Sequence, residues 1–297
     1  MAQAAEKMWA WAYGHGLVRD QAARQRMERT RPELWAALCY TTCDIGTLAL
    51  LSEWVYWGFA LDDEFDEGGH GVRAAKVAVA GMDAVLHGGA PRTAMERAFA
   101  DLLARSCPGR SAGWVHQFQY GLHRYVWTLY SQAADRDAGR VPTVAEFVDL
   151  RRDTIAMNLY FDLHEIDAGI DIPQPDRHLS VYRELRNAAS DYIWLHNDIG
   201  SLEKEVAVGD LHNAVYVLHI REGKTLQEAV DASNVLLGEH VERILVAEEE
   251  LTSLSENPPY AGQARLALQR CAQDYRRIVR GDFDYHGRVR RYTGTGS

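Results

Sequence analysis

The sequence predicts an all-α protein, built as one domain over residues 1–297. Proline occurs only eight times in 297 residues, and helix-forming residues dominate between short breaks of Gly, Pro and Asp. A hydrophobic content of 47% is ample for a core. Because no repeat, low-complexity run or long linker interrupts the chain, we expect one helical domain. Its ends, about residues 1–15 and 287–297, are the parts we expect to move until a ligand binds.

Short breaks in the pattern place the helices of the first half of the chain. Pro32 opens the third helix, and the break from Gly68 to Gly71 ends the fourth, whose residues 48–61 are mostly apolar. The predicted helices are 5–14, 18–29, 33–41, 44–66, 72–87, 91–105 and 111–137. The aromatic residues of the last helix recur at helical spacing, which favours core packing over a ligand cage.

Two capping boxes and one turn place the helices of the second half. Thr143 with Glu146, and Thr225 with Glu228, put a hydroxyl three residues before a carboxylate, a pairing that satisfies the first backbone donors of a helix. The first of these helices is expected to run to about Ala168, and residues 169–175 form a turn. The predicted helices are 143–168, 176–208, 211–221, 225–255 and 260–286.

Composition excludes several classes of function. A net charge of −10 argues against general affinity for nucleic acid or anionic membranes. The four cysteines form no CxxC pair, which indicates free thiols in a reducing compartment: Cys39, Cys43, Cys107 and Cys271. The first residues lack the basic start and apolar stretch of a secretory signal, and we expect no membrane span. A cytoplasmic location follows as an expectation.

An acidic cluster ends the predicted helix 44–66. Asp62 and Asp66 lie one helical turn apart and project from one face, with Asp63 beside them. Carboxylates this close raise one another's pKa unless a hard divalent cation removes the repulsion. The alternative is a solvated helix end, which the helix dipole disfavours. On its own, the cluster favours metal binding only slightly.

A second candidate site lies in the predicted helix 176–208. Asn197, Ser201 and Glu205 recur at intervals of four, so three oxygen donors stand along one helical face. An amide, a hydroxyl and a carboxylate suit a hard cation. An ordinary solvated face has the same spacing, and this pattern alone favours that alternative.

Taken together, the two patterns resemble the bacterial class I terpene synthases. That family carries a DDxxD-like motif and a motif of the form ND-x2-S-x2-KE, and both are complete here, including Lys204. Their co-occurrence in an all-helical chain is far more specific than either pattern alone. The resemblance implies the class I terpenoid synthase fold, a helical bundle around a central active-site cavity.

The resemblance covers nearly the whole chain and implies further site residues. Arg151 fits the position of the family's pyrophosphate-sensing arginine better than Arg152 does. The pair Arg291-Tyr292 fits the terminal pair that contacts diphosphate, and Phe59 stands where the family often has a cation-stabilising aromatic residue.

Three departures from the family pattern bear on the product rather than on ionisation. Gly58 stands where many relatives have a bulky wall residue, so the pocket is expected to be wider or differently shaped. Tyr285 replaces a common tryptophan seven residues before the terminal tyrosine. Residues 154–156, between the sensor and a helix break, read Thr-Ile-Ala instead of the common glycine-containing version.

The resemblance implies ionisation of a prenyl diphosphate, with three Mg²⁺ ions stabilising the leaving group. The implied metal ligands are Asp62, Asp63 and Asp66 for two ions, and Asn197, Ser201 and Glu205 for the third. The implied diphosphate contacts are Arg151, Lys204, Arg291 and Tyr292. The strongest candidate for the wall of the dry cavity is Phe59. Four weaker candidates could equally be explained by core packing: Val55, Gly58, Trp194 and Tyr285.

Farnesyl diphosphate, cyclised to a sesquiterpene, is the expected substrate because it is the family's commonest case. Geranyl and geranylgeranyl diphosphate, and a linear alcohol product, stay open. A chain-elongating prenyltransferase would carry a second DDxxD, and a catalytically inactive helical Mg²⁺-binding protein would not need the arginines. The family suggests a homodimer. No base is obvious, and His164 and His196 are interpreted as structural.

Overall fold

Thirteen α-helices and one 3-10 helix make up the secondary structure in the part of the chain that the structure, a computed structural model, describes: residues 1–67, 71–208, 212–257 and 262–289. The helices are α1 (Ala2–Gly14), α2 (Gln21–Thr30), α3 (Pro32–Cys39), α4 (Ile45–Glu67), α5 (Val72–Leu86), α6 (Ala94–Ser106), α7 (Ala112–Ala138), α8 (Val144–Thr154), α9 (Met157–Ala168), the 3-10 helix (Asp176–His178), α10 (Ser180–Val208), α11 (Ala214–Glu222), α12 (Leu226–Glu256) and α13 (Gly262–His286). No strand occurs in these ranges, so the predicted all-α class is confirmed. None of these helices is long and apolar enough to cross a membrane.

Helix α4 is held in the main core by aromatic packing. Trp57 stacks on Phe99 of α6, with ring centroids 4.8 Å apart, and Trp54 meets Phe118 of α7 edge-on at 5.4 Å. Of the aromatic residues of α7 predicted to pack in the core, Trp114 and Phe118 are fully buried, whereas Tyr120 is exposed. Aromatic contacts of this kind add to the free energy gained from burial. They fix the direction of α4 and therefore the place of its acidic end.

Capping boxes begin α6, α8 and α12. The boxes predicted at Thr143 and Thr225 are confirmed, since each hydroxyl accepts from the glutamate N–H and each glutamate accepts from the threonine N–H. A further box at Thr93 begins α6 one residue later, at Ala94, instead of at the predicted residue 91. Such boxes satisfy two backbone donors that would otherwise lack partners.

The continuous helix predicted over 143–168 is wrong. It is interrupted at Ile155 and Ala156, where Ala156 takes the left-handed conformation with φ of 59°. An alanine in this conformation costs about 1–2 kcal/mol. Two separate packing surfaces offset that cost: Phe147 of α8 is buried in a small cluster with α10 and α11, and Phe161 of α9 is buried in the main core. The bend allows α8 and α9 to pack in different clusters.

Buried ion pairs hold α9 against its neighbours. Asp162 Oδ1 accepts from Arg186 Nη1 at 2.9 Å, and Glu165 accepts from both terminal nitrogens of Arg177 at 2.8 Å. All four side chains are nearly inaccessible to solvent. Breaking one partner of such a pair would leave a buried charge without compensation, which is strongly unfavourable. The network therefore fixes α9 and the cavity residues that it carries.

Candidate active site

A cavity of about 1030 Å³, its open mouth included, lies between α4, α8, α9, α10 and α13. On α4 its lining runs from Val55 and Phe59 to Asp62, and on α10 from Ile193 to Asn197 and beyond. In both helices the apolar lining residues precede the polar ones. Apolar and polar groups thus share one concave lining, as in small-molecule sites.

The two motifs meet at one end of this cavity. Asp62 lines it, and the negative charges of Asp62 and Glu205 both act on Arg151. The other acidic residues of the first motif are placed differently. Asp63 lines a separate surface depression beside α2, and the side chain of Asp66 lies outside the described part of the structure.

Arg151 is buried in an ion pair with Asp198, the residue next to Asn197. Its Nε and Nη2 atoms donate to Asp198 Oδ1 at 3.0 and 2.7 Å, and Nη2 also donates to Asn197 Oδ1 at 3.0 Å. Burial alone lowers the pKa of Arg151, but the charges of Asp198 and Glu205 outweigh burial and raise it. The guanidinium therefore stays charged at the edge of the cavity.

Arg152 points to the other side of α8. Its Nε and Nη2 atoms each donate to one oxygen of Asp191 at 2.7 Å. Of the two adjacent arginines, Arg151 is the one that lines the cavity. The nearby carboxylates of Asp153 and Glu146 pair with other arginines, Arg124 and Arg140.

The face of α10 presents its oxygen donors to the cavity in one row, since Asn197, Ser201 and Glu205 all line it. Ser201 Oγ donates to the backbone carbonyl of Asn197 at 2.8 Å, and Glu205 accepts from Asn213 Nδ2 at 2.9 Å. Asn213 also caps α11 and donates to the Asp198 carbonyl at 2.6 Å. Asn213, which follows the second motif, thus orients the last oxygen donor of that motif, Glu205.

The donor set at this end of the cavity fits a hard divalent cation. It consists of two carboxylates, an amide oxygen and a hydroxyl, from Asp62, Glu205, Asn197 and Ser201. Hard cations take oxygen ligands and are bound in proteins by a small number of carboxylates together with waters and substrate phosphates. No sulfur or imidazole belongs to this set of four.

Hydrogen bonds from a third helix support Asn197. Asn197 Nδ2 lies 3.4 Å from His286 Nε2, and His286 Nδ1 lies 2.9 Å from the backbone carbonyl of Asp282. Asp282 in turn accepts from Trp35 Nε1 at 2.9 Å. Because Arg151 donates to its oxygen, the Asn197 amide is oriented from both ends. Partners of this kind hold metal ligands in place.

A second possible metal cluster is better explained by these hydrogen bonds. One donor atom each from His196, Asp282 and His286 lies within 4.8 Å of the others. The Nδ1 atom of His286, however, is within hydrogen-bond distance of a carbonyl oxygen, so it carries a proton and serves as a donor. We therefore interpret the cluster as support for α10, which agrees with the structural role expected of His196.

Phe59 and Tyr285 face each other across the apolar part of the lining. Their ring centroids are 6.4 Å apart and nearly parallel, and both residues line the cavity together with Val55. The Tyr285 hydroxyl donates to the backbone carbonyl of Thr30, so the polar end of the ring is satisfied by a helix end. The side that lines the cavity is therefore aromatic.

Two expectations about the wall are not met by the geometry. The space beside Gly58 is not empty, because a Cβ atom built on Gly58 would lie 2.5 Å from the Tyr160 hydroxyl oxygen. Trp194 does not line the cavity. It packs edge-on against Phe147 in a separate cluster and donates to Asp191.

Of the other residues expected to contact diphosphate, only one lies in the described part of the structure. Lys204 lines the cavity. Arg291 and Tyr292 lie outside the described residues. Sequence reasoning missed Asp198 and His286. The motif pair Asn197-Asp198 contained a signal for the first, since a buried sensor arginine needs a carboxylate, whereas nothing in the sequence indicated the second.

Comparison with known proteins gives a consistent set of relatives. Residues 53–243 match the family described as terpene synthase family 2, C-terminal metal binding. The chain is 30% identical over 294 residues to the (2Z,6E)-hedycaryol synthase of Kitasatospora setae, covering 98% of this chain and 87% of that protein. It is 32% identical over 228 residues to a (+)-T-muurolol synthase of Roseiflexus castenholzii described as farnesyl diphosphate cyclizing, covering 75% of this chain and 69% of that protein.

A solved structure agrees with these relatives. The linalool/nerolidol synthase from Streptomyces clavuligerus, in complex with 2-fluorogeranyl diphosphate, matches with a TM-score of 0.86 and 26% identity, covering 96% of this chain and 97% of that one. The family match spans both motifs and the arginine between them, the residues that meet at one end of the cavity. This chain therefore belongs to the bacterial class I terpene synthases of terpene synthase family 2, metal-binding lyases that act on prenyl diphosphates.

Proposed function

We propose that this terpene synthase ionises farnesyl diphosphate with the help of three Mg²⁺ ions and cyclises the resulting carbocation to a sesquiterpene. The observation that carries the proposal is the meeting of Asp62, Arg151 and the Asn197 face of α10 at one end of a cavity with an aromatic wall. A diphosphate and a hydrocarbon chain need such a division between charged and apolar surroundings.

Asp62 would hold two of the ions, and Asn197, Ser201 and Glu205 would hold the third. Divalent ions bound there would stabilise the negative charge that develops on the diphosphate oxygen as the allylic carbon–oxygen bond breaks. The bond from Asn213 keeps the Glu205 carboxylate turned toward the cavity, and His286 keeps the Asn197 amide in place. Asp63 is the weaker candidate for the first site, because it lines another depression.

Arg151 and Lys204 would bind the diphosphate directly, with Arg291 and Tyr292 completing the set. Arg151 uses Nε and Nη2 for Asp198 and Asn197, whereas Nη1 makes a longer bond of 3.2 Å to the Thr154 hydroxyl. Nη1 is therefore the nitrogen that can donate to a diphosphate oxygen while Nε and Nη2 keep the buried ion pair. Arginine suits this role because its donors form a rigid fork.

Phe59 would stabilise positive charge on the hydrocarbon chain through its π face, with Tyr285, Val55 and Gly58 shaping the wall. An aromatic face stabilises a nearby desolvated cation by about 2 kcal/mol or more. Trp194 is left out of this role, because it packs in a separate cluster.

The choice of farnesyl diphosphate is supported by the Roseiflexus castenholzii relative, which is described as cyclizing that substrate. Geranyl diphosphate is the second candidate, since the Streptomyces clavuligerus structure holds a fluorinated geranyl diphosphate. A chain-elongating prenyltransferase is disfavoured by the Asn, Ser and Glu donors on α10. The homodimer and the cytoplasmic location stay predictions.

The test is incubation of the purified protein with Mg²⁺ and geranyl, farnesyl or geranylgeranyl diphosphate in separate reactions. Volatile products are analysed by gas chromatography and mass spectrometry, and released diphosphate is measured in parallel. We expect the highest diphosphate release and a cyclic product with farnesyl diphosphate. A folded protein that releases no diphosphate from any of the three substrates would rule out the proposed function.

A further inference from the structure

Tyr160 takes the place of a side chain at residue 58. Both Gly58 and Tyr160 line the cavity, and the Tyr160 hydroxyl occupies the space where a Cβ at residue 58 would lie, 2.5 Å away. Any larger residue at position 58 would collide with that hydroxyl. The glycine on α4 and the tyrosine on α9 thus form a complementary pair, and the tyrosine brings a polar atom to this part of the wall.

The Tyr160 ring is held firmly enough to aim that atom. The ring packs against Trp35 with centroids 4.9 Å apart, and the backbone carbonyl of Tyr160 accepts from the Tyr40 hydroxyl at 2.9 Å. The residue is 9% exposed, and it follows the break at Ala156 by one turn of α9. Few rotations are therefore open to it.

The hydroxyl of Tyr160 makes no hydrogen bond to any residue within the described ranges, whereas the hydroxyl of Tyr285, in the same wall, donates to a backbone carbonyl. Because Tyr160 lines the cavity, the partner of its hydroxyl is expected to be a molecule inside that cavity, since most polar atoms in protein interiors are hydrogen-bonded to protein or to an ordered water. Burial and the nearby charge of Asp62 raise the pKa of Tyr160, so the phenol stays neutral and can both donate and accept.

The substrate cannot satisfy this hydroxyl by itself. Away from its diphosphate, a prenyl diphosphate is a hydrocarbon and offers no hydrogen-bonding group. When that chain fills the cavity, the partner of the Tyr160 hydroxyl must be a water molecule, which would then lie against the reacting chain. A bound water needs more than one polar partner. Asp62, whose charge acts on Tyr160, lines the same cavity and can supply a second one.

We propose that Tyr160 is a specificity-determining residue whose hydroxyl holds a water molecule beside Gly58, and that this water captures the carbocation to give a terpene alcohol. The inference rests on the proposed function. A lone pair of the water oxygen forms the new carbon–oxygen bond, and one water proton passes to the released diphosphate. The net reaction is prenyl diphosphate plus water to terpene alcohol plus diphosphate.

The experiment compares wild type, Tyr160→Phe and Tyr275→Phe with farnesyl diphosphate and Mg²⁺ in water enriched in oxygen-18. We expect a labelled alcohol from wild type. In Tyr160→Phe the alcohol fraction should fall by about tenfold, the effect of losing one hydrogen bond. Hydrocarbon should rise in its place, while diphosphate release is retained. The matched change Tyr275→Phe removes a buried hydroxyl that is 3.2 Å from the Tyr182 hydroxyl and does not line the cavity, and it should keep the alcohol fraction.

A second variant tests the same hydroxyl from the other side. Gly58→Ala places a methyl group where the hydroxyl lies, so it should also lower the alcohol fraction, and Gly58→Ala combined with Tyr160→Phe should lower it no further than the single changes. Folding of each variant is checked by circular dichroism. If Tyr160→Phe does not fold, the alcohol fraction of Gly58→Ala still tests whether the Tyr160 hydroxyl is needed for water capture.

The outcomes separate the two proposals. Wild type that releases no diphosphate would overturn the proposed function and the water site with it. Wild type that releases diphosphate but forms only hydrocarbons would overturn the water site alone. An alcohol fraction unchanged in both Tyr160→Phe and Gly58→Ala would do the same.

Discussion

Arg151 and Asp198 form a buried ion pair that joins α8 to α10, with Nη2 2.7 Å from Oδ1. The second oxygen of Asp198 accepts from the backbone N–H of Ala214 at 2.8 Å and so also fixes the start of α11. One carboxylate therefore positions the guanidinium, the neighbouring Asn197 and the loop that orients Glu205.

Replacing Asp198 by Asn should damage both activity and stability. We expect kcat/KM to fall by about 100-fold or more, because small misplacements of catalytic groups have effects of that size. The free energy of unfolding should fall by about 3 kcal/mol, since Arg151 is left buried without its charge partner. Steady-state kinetics and urea denaturation measure the two effects.

Asp191→Asn is the matched control for this change. Asp191 is equally buried and pairs with Arg152, the neighbour of Arg151, on the side away from the cavity. It should lower stability while kcat/KM stays close to wild type. A kcat/KM for Asp198→Asn that matches that of Asp191→Asn would contradict the positioning role of Asp198.

Replacing Asn197 or Glu205 by Ala should abolish turnover with little loss of stability. Both side chains line an open cavity, so their removal costs few packing contacts but takes a donor from the metal site. Activity is followed by diphosphate release over a titration of Mg²⁺, and a chelator should abolish it in wild type. Glu203→Ala, an exposed change on the same helix, should retain activity. Turnover surviving either substitution would show that the metal ligands are misassigned.

Replacing Phe59 by Ala should change the products while leaving diphosphate binding largely intact. The ring stacks near Tyr285 in the wall and lies one turn before Asp62. Loss of about 2 kcal/mol of stabilisation of a desolvated cation corresponds to about a 30-fold loss of the main product. Product ratios and inhibition by inorganic diphosphate are measured together. The exposed Phe283→Ala serves as control, and an unchanged product profile in Phe59→Ala would argue against the role.

The sequence was informative where a local rule applied. The capping boxes at Thr143 and Thr225 are read from a spacing of three residues, and the row from Asn197 to Glu205 from a spacing of four, because both follow from helix geometry alone. Asp62 faces the cavity and Asp63 does not because of how α4 is rotated about its own axis in the bundle. That rotation is set by packing against other helices and cannot be read from the local sequence.

Other features depend on contacts between distant parts of the chain. The bend at Ala156 has no Gly or Pro, and it exists because α8 and α9 pack into different clusters. The Tyr160 hydroxyl of α9 lies beside Gly58 of α4. The sequence predicted a wider pocket at Gly58, but a side chain from another helix fills that space. Tertiary packing overrides local preference at such positions.

Ala156→Gly should stabilise the protein slightly. At φ of 59°, glycine avoids about 1–2 kcal/mol of the backbone strain that alanine has in the left-handed conformation. Its greater freedom in the unfolded chain lowers the gain in stability by about 0.5–1 kcal/mol. The net gain should raise Tm by about 1–2 °C in a thermal melt. Ala80→Gly, an exposed change in the middle of α5, should lower stability by about 1 kcal/mol. A lower Tm for Ala156→Gly would mean that the bend is not strained.

His164 makes stability depend on pH, since it is buried between two carboxylates. Its Nδ1 lies 3.6 Å from Asp167 and its Nε2 lies 3.2 Å from Asp274, which Arg270 and Arg277 also contact. Burial alone lowers the pKa of His164, but Asp167 and Asp274 outweigh burial and raise it above its ordinary value. The charged imidazole therefore stabilises the fold fully below about pH 6.5, the unfolded value, and this contribution is lost as pH rises through the higher folded-state pKa.

The measurement is the free energy of unfolding of wild type and His164→Asn between pH 5.5 and pH 9, the range roughly bracketing the histidine pKa. The pKa of Asp167 is lowered to about 2, because its hydrogen bonds outweigh burial, so this carboxylate stays charged throughout the range. We expect the stability difference between the two proteins to be largest at the acidic end and to narrow as pH rises. A difference that widens with pH would mean that His164 is held neutral in the fold.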